Sequence, residues 1–381
     1  MDTDCRADAI HTAGVRPLLV GRPGLTDHRS RMTRALLLTN QPPVDGQPGY
    51  EAGLRTLVEN TELEGCDIVP AISGASETTA DRCTRIARAI DASRADVVLC
   101  LSLKNLVPVT VEVAQSLADR RVLYWEGDAW GGRKRLPPAT SDWLRISSIV
   151  YTVAGPPQTQ LLLAHGAHEV RQTLHTYDQT LFGAYGGGHQ DVVSVVLAGN
   201  NLSRLPGVSG LPGSFARRRL VTGLHRRFGA EFRLAGRGWP RALAASYVPY
   251  PQIGSFIGTG RIMAAWEHFP TFSAYASDRL AVCMITGRVQ VTSKPTPPWW
   301  VPPGLGVYAM QSWQDVLAKV EELAARPPAQ VRESGRAAHE WARGRISHLE
   351  ALRQMLNPVA PEIQPPPTDP WGQLPGPWLN S

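Results

Sequence analysis

The chain has 381 residues, 43% of them hydrophobic and 19% charged, and a formal net charge of +6. This balance excludes a disordered or fibrous protein and predicts two globular domains, because a single core seldom grows beyond roughly 250–300 residues. No apolar run reaches the roughly 18 residues of a membrane-spanning helix, and residues 1–31 lack the apolar centre of a signal peptide. We therefore expect a cytoplasmic protein without a membrane span.

Buried strands alternate with helices in the first half of the chain. The strands are predicted at Arg34–Asn40, Cys66–Ala71, Ala95–Leu103, Arg121–Trp125 and Ser148–Val153. The helices are predicted at Tyr50–Leu63, Ala80–Ala92, Val109–Asp119 and Gln158–His165. Strands that are apolar throughout are typical of a parallel sheet covered on both faces.

A glycine-rich segment, Ala184–Gln190, predicts a hinge, after which the alternation restarts. The strands are predicted at Asp191–Ala198, Glu231–Ala235, Gly260–Trp266 and Val289–Ser293. The helices are predicted at Ser214–Phe228, with Ser214 as its cap, and at Ser277–Thr286, Ser312–Ala325, Pro328–Arg343 and Arg345–Leu356. The last 25 residues contain eight prolines, which favours an extended tail over a packed element.

The predicted fold class is therefore α/β, with two Rossmann-like domains and a cleft between them. The predicted segments are a polar leader at 1–31 whose composition permits disorder, a first domain at 32–183, the hinge at 184–190, a second domain at 191–343, a closing helix at 344–356 and a proline-rich tail at 357–381.

Residues that directly follow strands are the candidate site residues, because ligands of open parallel sheets gather beyond the carboxyl ends of the strands. In the second domain these are Gly199, Asn200, Asn201, Gly236, Gly238 and Trp239, with Ser277, Asp278 and Arg279 at the start of a helix. Helix N-termini and arginines bind phosphate, and Trp239 can form the floor of a nucleobase site. Ordinary turns and helix caps are the alternative interpretation.

Two further side chains are candidates for the chemistry itself. Asp128 follows a strand of the first domain and can act as a general base towards an acceptor hydroxyl, although aspartate is also common in turns. His268 follows a strand of the second domain and can contact a donor phosphate or sugar; a solvated loop histidine is the alternative.

Several motifs are missing, and their absence shapes the expected chemistry. The sequence has no G-x-x-x-x-G-K-[ST] phosphate loop, and its only D-x-D, at Asp2 and Asp4, precedes the first predicted strand. The five cysteines form no C-x-x-C pair, which argues against a zinc site. We therefore expect no metal and no resident cofactor, with arginines and helix amides stabilising an anionic leaving group.

The segment Phe272–Ser293 resembles the S-D-R-hydrophobic…G segment of CgeB-like, spore-maturation-type glycosyltransferases, a branch of the GT-B family 1/family 4 group. Other pieces resemble that family in the same order along the chain: Val122–Asp128, Asp178, Val193–Asn201, Arg219, Leu234–Trp239 and Gly304–Ala325. In this resemblance Asp178 matches the aspartate that ends the last strand of the first domain. The likeness covers residues 190–345, and 34–180 more loosely.

The resemblance implies a GT-B enzyme that transfers a sugar, with retention and without metal, from a nucleoside-diphosphate sugar to a hydroxyl on a small molecule, polysaccharide or modified polymer. The first domain would bind the acceptor and the second the donor, whose diphosphate Arg219 and Arg279 would neutralise. One position departs from the family: Val282 stands where a glutamate usually holds the donor ribose. Because of this departure, the resemblance does not determine which nucleotide-sugar is the donor.

Three alternatives remain at this point. The basic charge also suits a DNA-modifying glycosyltransferase that acts on a modified base. Val282 and the proline-rich tail suit a degenerate GT-B protein that binds or scaffolds without turnover. A sugar-nucleotide epimerase would share the architecture.

Overall fold

A computed structural model describes residues 32–39, 48–72, 74, 76–102, 106–130, 136–185, 191–202, 211–272, 274–294 and 300–380. The predicted leader at 1–31 and positions 186–190 of the predicted hinge lie outside the described residues. Residues 32–381 form one compact unit. No helix in the described part of the chain is both long and apolar enough to cross a membrane.

The first sheet has seven strands in the order β12-β6-β5-β4-β3-β1-β2. Its strands are β1 Arg34–Thr39, β2 Gly65–Pro70, β3 Val97–Ser102, β4 Arg121–Glu126, β5 Ile149–Thr152, β6 Glu169–Gln172 and, from the far end of the chain, β12 Trp378–Leu379. The first six strands run parallel; in the register, Leu37 of β1 lies opposite Ile68 of β2 and Leu99 of β3. The predicted parallel, doubly covered sheet is confirmed.

Helices cover both faces of this sheet and bury their apolar sides against it. They are α1 Pro48–Glu59, α2 Thr79–Ser93, α3 Val111–Leu117, α4 Pro138–Ile146, α5 Gln158–Ala164 and α6 Gln179–Phe182. Local chemistry sets their starts: the side chains of Thr78, Thr110 and Asp178 cap α2, α3 and α6 respectively. Asp178, which the resemblance placed at the end of a strand, is therefore a helix cap.

The second sheet has five parallel strands in the order β11-β10-β9-β7-β8. They are β7 Val193–Ala198, β8 Phe232–Ala235, β9 Gly260–Ala264, β10 Val289–Ser293 and β11 Val307–Met310. Its helices are α7 Ser214–Phe228, α8 Ile253–Gly258, α9 Asp278–Ile285, α10 Trp313–Ala325 and α11 Pro328–Ala342. Ser312 and Asp315 form the capping box of α10.

Some predicted boundaries are wrong for identifiable reasons. Gly213 rather than Ser214 is the N-cap of α7, and a Cβ at this position would lie 2.0 Å from the carbonyl oxygen of Glu267, which accounts for the glycine. The elements β6, β11, α4 and α8 were not predicted from the sequence, because they are short, with four to nine residues each. β6 has only Val170 as an aliphatic residue.

The C-terminal segment returns to the first lobe. Helix α12, His348–Leu356, packs on α1, and the parallel bridge between Tyr177 and Ser347 joins the segment to the residues after β6. The prediction of an extended, unpacked tail was wrong: Ile363 and Trp371 are buried, and β12 pairs antiparallel with β6. A single helical turn, α13 Thr368–Trp371, lies between α12 and β12. Prolines interrupt helices but do not prevent the intervening apolar side chains from packing.

Contacts between the lobes fix the geometry of the cleft. An apolar cluster around Phe269 and Phe272, from the segment after β9, packs on Ala129 and Ala154 of the first lobe. In the same region the Gln172 Nε2 donates a hydrogen bond to the carbonyl of Ala274 over 3.3 Å. The segment between β9 and α9 therefore bridges the two lobes on one side of the cleft.

Candidate functional site

A cavity of about 390 Å³ lies where the carboxyl ends of the two sheets face each other. The first lobe contributes Trp125, Gly127, Asp128, Ala129, Trp130 and His175, and the second contributes Leu202, Leu211, His268, Phe269, Tyr275, Ser277, Asp278 and Arg279. The position agrees with the expectation that ligands of parallel sheets bind beyond the strand ends.

The first turn of α9 forms one wall of this cavity. Ser277 is the N-cap residue of α9, but its hydroxyl makes no capping bond and instead donates to the Oε1 of Glu267 over 2.9 Å. Asp278 accepts a hydrogen bond from the Arg279 amide. A helix N-terminus carries a partial positive charge that favours an anion, although the Asp278 carboxylate on this wall opposes it.

A buried ion pair lies behind that wall. The Arg279 guanidinium is 3.5 Å from the Oε2 of Glu267, whose side chain is almost fully buried. Burial disfavours the charge on Arg279, but the carboxylates of Glu267 and Asp278 outweigh it and raise its pKa. Arg279 therefore presents a fixed cation at the cavity wall.

A second buried guanidinium belongs to Arg217 on α7, which is only 3% exposed. Its Nε donates to the carbonyl of Trp266 over 2.6 Å, and its Nη1 donates to the carbonyl of Asn200 over 3.2 Å. Burial first, and then the charge of Arg279, lower the pKa of Arg217 to about 9. Both arginines remain charged at neutral pH. The negative charge of Glu267 raises the pKa of each of them.

His268 lies against Arg217 and is held in one tautomer. Its Nε2 is 2.5 Å from the Nη1 of Arg217. A guanidinium has only donors, so Nε2 must accept and the proton of the neutral ring is on Nδ1. Burial and the two arginine charges lower the pKa of His268 to about 2. The buried Nδ1–H has no hydrogen-bond partner among the described residues, and the His268 side chain lines the cavity.

The loop Gly127–Trp130 forms the opposite wall and is fixed by two buried side chains. Glu126 accepts the amide hydrogen of Asp128 and the hydroxyl hydrogen of Tyr124, each over 3.0 Å. Gln158 accepts the amide hydrogen of Trp130 and donates to the carbonyl of Asp128. Burial and the nearby Asp128 raise the pKa of Glu126 to about 7. The exposed carboxylate of Asp128 is thereby held at the cavity.

His175 closes the cavity between the lobes. Its ring makes edge contacts with Trp125 of the first lobe and Tyr275 of the second, at centroid distances of 6.1 and 6.4 Å. Burial lowers its pKa, although the carboxylates of Asp278 and Asp128 oppose this. The neutral imidazole can accept a proton from a group bound in the cavity.

The glycine-rich turns after β7 and β8 come together, but they bind each other rather than line the cavity. The Trp239 Nε1 donates to the carbonyl of Gly199, the Asn201 side chain donates to the carbonyl of Gly238, and the Asn200 side chain accepts from the Arg237 amide. A Cβ at Gly236 would lie 2.2 Å from the carbonyl oxygen of Gly199, so only glycine permits this contact. The local-turn interpretation therefore fits these six residues.

Arg219 does not line the cavity. It is exposed on α7, and its guanidinium covers the ring of Phe215 at 5.1 Å. The expectation that Arg219 faces the cleft was wrong, and Arg217 takes that place. The apolar face of α7 contains Leu220, Val221 and Leu224, and position 217 precedes 220 and 221 by three and four residues. Helical periodicity thus puts Arg217 on the inward face.

Val282 faces the core rather than the cavity. It is fully buried on α9, in the apolar cluster that also contains Leu280 and Met284. A glutamate side chain at this position would be surrounded by apolar side chains. Glu267 and His175 were not among the predicted site residues. Glu267 directly follows the strand predicted at Gly260–Trp266, whereas His175 follows the strand β6, which was not predicted.

Comparison with known proteins finds relatives by structure alone. No family model matches the sequence, and no curated protein matches it. The chain is similar to an alpha-glucosyltransferase in complex with UDP-glucose and DNA containing an abasic site, with a TM-score of 0.58 and 8% identity over 86% of this chain and 99% of that one.

It is also similar to Anabaena HepE in complex with UDP-glucose, with a TM-score of 0.54 and 11% identity over 86% of this chain and 100% of that one. A glycosyltransferase from Rickettsia africae gives a TM-score of 0.54 and 9% identity over 88% of this chain and 100% of that one. The fold is GT-B. In the GT-B frame, the cavity lies in the cleft between the two lobes, and Arg217, His268 and Arg279 belong to the C-terminal lobe.

Proposed function

We propose that this protein transfers a sugar from a nucleoside-diphosphate sugar to an acceptor hydroxyl. The diphosphate would lie at the start of α9 beside Arg279, within reach of the field of Arg217 and the Nδ1–H of His268. The acceptor would enter from the N-terminal lobe, past Asp128 and His175. This division assigns the donor to one wall of the cavity and the acceptor to the other.

The observation that carries this proposal is the pair of guanidinium groups beside the cavity. The buried Arg217 and the half-buried Arg279 share one buried carboxylate, Glu267, while the half-buried Asp278 supports Arg279 alone. Burying a cation without a counter-charge is costly, so such an arrangement suits a site that is completed by an anionic ligand. A nucleoside diphosphate supplies that charge, and a neutral sugar alone does not.

The reaction follows from this placement. The acceptor oxygen forms a bond to the anomeric carbon of the sugar as the bond between that carbon and the diphosphate oxygen breaks. The proton of the acceptor hydroxyl passes to the Asp128 carboxylate, for which the neutral His175 is the neighbouring alternative. The charge that develops on the departing diphosphate is stabilised by Arg279, by Arg217 and by the partial positive charge at the start of α9, without a metal ion.

The structural relatives support the donor class. Two of them are recorded with UDP-glucose and one of these also with DNA. Their sequences are only 8% and 11% identical to this chain. The transferred sugar, the acceptor and membership of the CgeB-like branch are therefore proposals that rest on this chain's own residues.

Calorimetry with a panel of nucleotide-sugars, in the presence of a metal chelator, tests this proposal. We expect one class of nucleotide-sugar to bind with the chelator present. It should be hydrolysed slowly when no acceptor is added and transferred quickly when the right acceptor is added. Asp128→Asn should lower the transfer rate by roughly 100-fold or more, the usual effect of losing a general base, and leave donor affinity unchanged. A folded protein that binds no nucleotide-sugar would refute the proposal.

A further inference from the structure

The positive charge of the protein is concentrated in one stretch of the C-terminal lobe. Residues 211–250 contain eight arginines, no lysine, one glutamate and no aspartate, a formal charge of +7 against +6 for the whole chain. Only Arg217 among the eight is buried; the exposed ones are Arg218, Arg219, Arg226, Arg227, Arg233, Arg237 and Arg241. We call these seven side chains the arginine surface. The single acid, Glu231, is bound by the amide and hydroxyl of Ser194.

Part of the arginine surface forms a straight stripe along α7. Phe215, Arg219, Thr222 and Arg226 follow one another at intervals of four, three and four residues, which places them on one face of the helix. At about 1.5 Å per residue the stripe is about 16 Å long, which matches about five phosphates of a nucleic-acid strand. Beside the C-terminal end of α7 the surface continues into a hollow of about 560 Å³ that His225 and Arg233 help to line.

Exposed aromatic rings accompany the arginines. Phe215 is 64% exposed and Tyr247 is 51% exposed, and both are among the most exposed large hydrophobic side chains of the described residues. The guanidinium of Arg219 covers Phe215 at 5.1 Å, and that of Arg237 covers Tyr247 at 4.2 Å. A ring that rests on a cation on one side offers its other face for stacking.

The arginine surface is contiguous with the cavity. Gly213 is the N-cap of α7, and its amide donates to the carbonyl of His268. Asn200 connects the part of the arginine surface at Arg237 to Arg217. Its side chain accepts a hydrogen bond from the Arg237 amide, and its carbonyl accepts one from the Arg217 guanidinium. A chain bound along the arginine surface would therefore pass the mouth of the cavity.

We propose that the acceptor is carried on a polynucleotide strand that lies along the arginine surface. This inference rests on the proposed function, because it names the acceptor class for that reaction. Arginines along a stripe neutralise the repeated phosphates, and the exposed rings of Phe215 and Tyr247 stack on unpaired bases. Sulfated polysaccharides and anionic lipid surfaces offer the charge but have no planar base to stack.

Fluorescence anisotropy with a labelled DNA strand, alone and as a duplex, tests the surface across a salt series from about 50 to about 200 mM. The triple variant Arg218→Gln/Arg219→Gln/Arg226→Gln should bind at least about tenfold more weakly and lose about 2 to 3 from the slope of log affinity against log salt. Its matched control is Arg55→Gln/Arg88→Gln/Arg336→Gln, which removes three exposed arginines elsewhere and should change the slope by less than about 1.

A second variant separates stacking from charge. Phe215→Ala/Tyr247→Ala should weaken single-strand binding by about tenfold or more and leave the salt slope unchanged, because each stacked base contributes about 1–3 kcal/mol. Donor calorimetry on both variants should match the parent protein, which shows that the fold and the cavity are intact.

The outcomes distinguish the two proposals. A protein that binds a nucleotide-sugar but shows equal losses in the two triple variants, or prefers anionic vesicles or a sulfated polysaccharide to DNA, would overturn the polynucleotide inference. A protein that binds DNA through the arginine surface but binds no nucleotide-sugar would overturn the proposed function and leave the binding surface in place.

Discussion

Arg217 and His268 share a hydrogen bond of 2.5 Å in which the guanidinium donates and the Nε2 of the imidazole accepts. This contact fixes the histidine proton on Nδ1. Burial, and then the charges of Arg217 and Arg279, lower the pKa of His268 to about 2. His268 is therefore a neutral donor throughout the physiological range. It can orient an oxygen atom of the nucleotide-sugar through a hydrogen bond, but it cannot serve as an acid that gains and loses a proton near neutral pH.

We predict that His268→Phe, which keeps an aromatic ring without either nitrogen, weakens nucleotide-sugar binding by about tenfold, the effect of one lost hydrogen bond to a charged group. Calorimetry between pH 5.5 and pH 8.5 should show constant affinity in the parent protein, because neither His268 nor the donor's diphosphate titrates there. An affinity that rises as the pH falls through the ordinary histidine pKa of about 6.5, and does so only in the parent, would contradict the neutral assignment.

A pair of glycines on α7 gives a sharper test of the site's backbone geometry. In Gly213→Ala the new Cβ would lie 2.0 Å from the carbonyl oxygen of Glu267, so the start of α7 must move and donor affinity should fall by about tenfold or more. The matched control is Gly223→Ala on the same helix, where the Cβ would meet only the flexible end of Leu317 at 3.0 Å. It should bind donor normally; equal losses would exclude a specific role for the 213–267 contact.

Glu126→Gln should make the protein more stable relative to the parent as the pH rises. The folded-state pKa of Glu126, about 7, exceeds the ordinary value of 4.5, so the parent loses stability as the pH rises through this window. Between pH 4 and pH 8 the stability difference should move by about 3 kcal/mol in favour of the glutamine variant.

The same substitution tests the control of the acceptor loop. Glutamine can still accept the Asp128 amide hydrogen, so transfer activity should persist while any activity step with an apparent pKa near 7 disappears. Urea unfolding and rate profiles at the same pH values are the measurements. A stability difference that does not change with pH would contradict the buried position of the carboxyl.

Val282→Glu should destabilise the protein rather than complete a ribose site. The new carboxylate would be buried among apolar side chains of α9, where a charge without a partner is strongly unfavourable. Val282→Gln has the same shape without the charge. At pH 8 the glutamate variant should be at least about 2 kcal/mol less stable than the glutamine variant, and the two should converge near pH 4 as the carboxyl is protonated. Tighter donor binding by a folded Val282→Glu protein would show that position 282 faces the cleft.

Most of the framework is predictable from the sequence because parallel strands buried on both faces are continuous apolar runs. The strand Val289–Ser293 and the helix Ser214–Phe228 coincide with their predicted bounds. By contrast, β6 alternates Glu169 and Arg171 with buried residues and pairs with β12 from about two hundred residues away, so no local pattern signals it.

The site was less predictable, because side-chain direction decides it. The sequence has three consecutive arginines, Arg217, Arg218 and Arg219. Only their positions around the axis of α7 distinguish the buried Arg217 from the two exposed ones. The glycine-rich turns after β7 and β8 follow the right strands, yet their hydrogen-bonding groups are used on each other. His175 depends on the unpredicted strand β6 for its position.

The most direct test of the central claim is calorimetric titration of a nucleoside diphosphate into the parent protein, Arg279→Gln and the exposed control Arg219→Gln. We predict that Arg279→Gln loses roughly 10- to 100-fold in affinity, as expected when a charge-assisted hydrogen bond is removed, and that Arg219→Gln stays within about twofold of the parent. Equal affinities for Arg279→Gln and the parent, or a larger loss in Arg219→Gln, would contradict the assignment of the diphosphate to the start of α9.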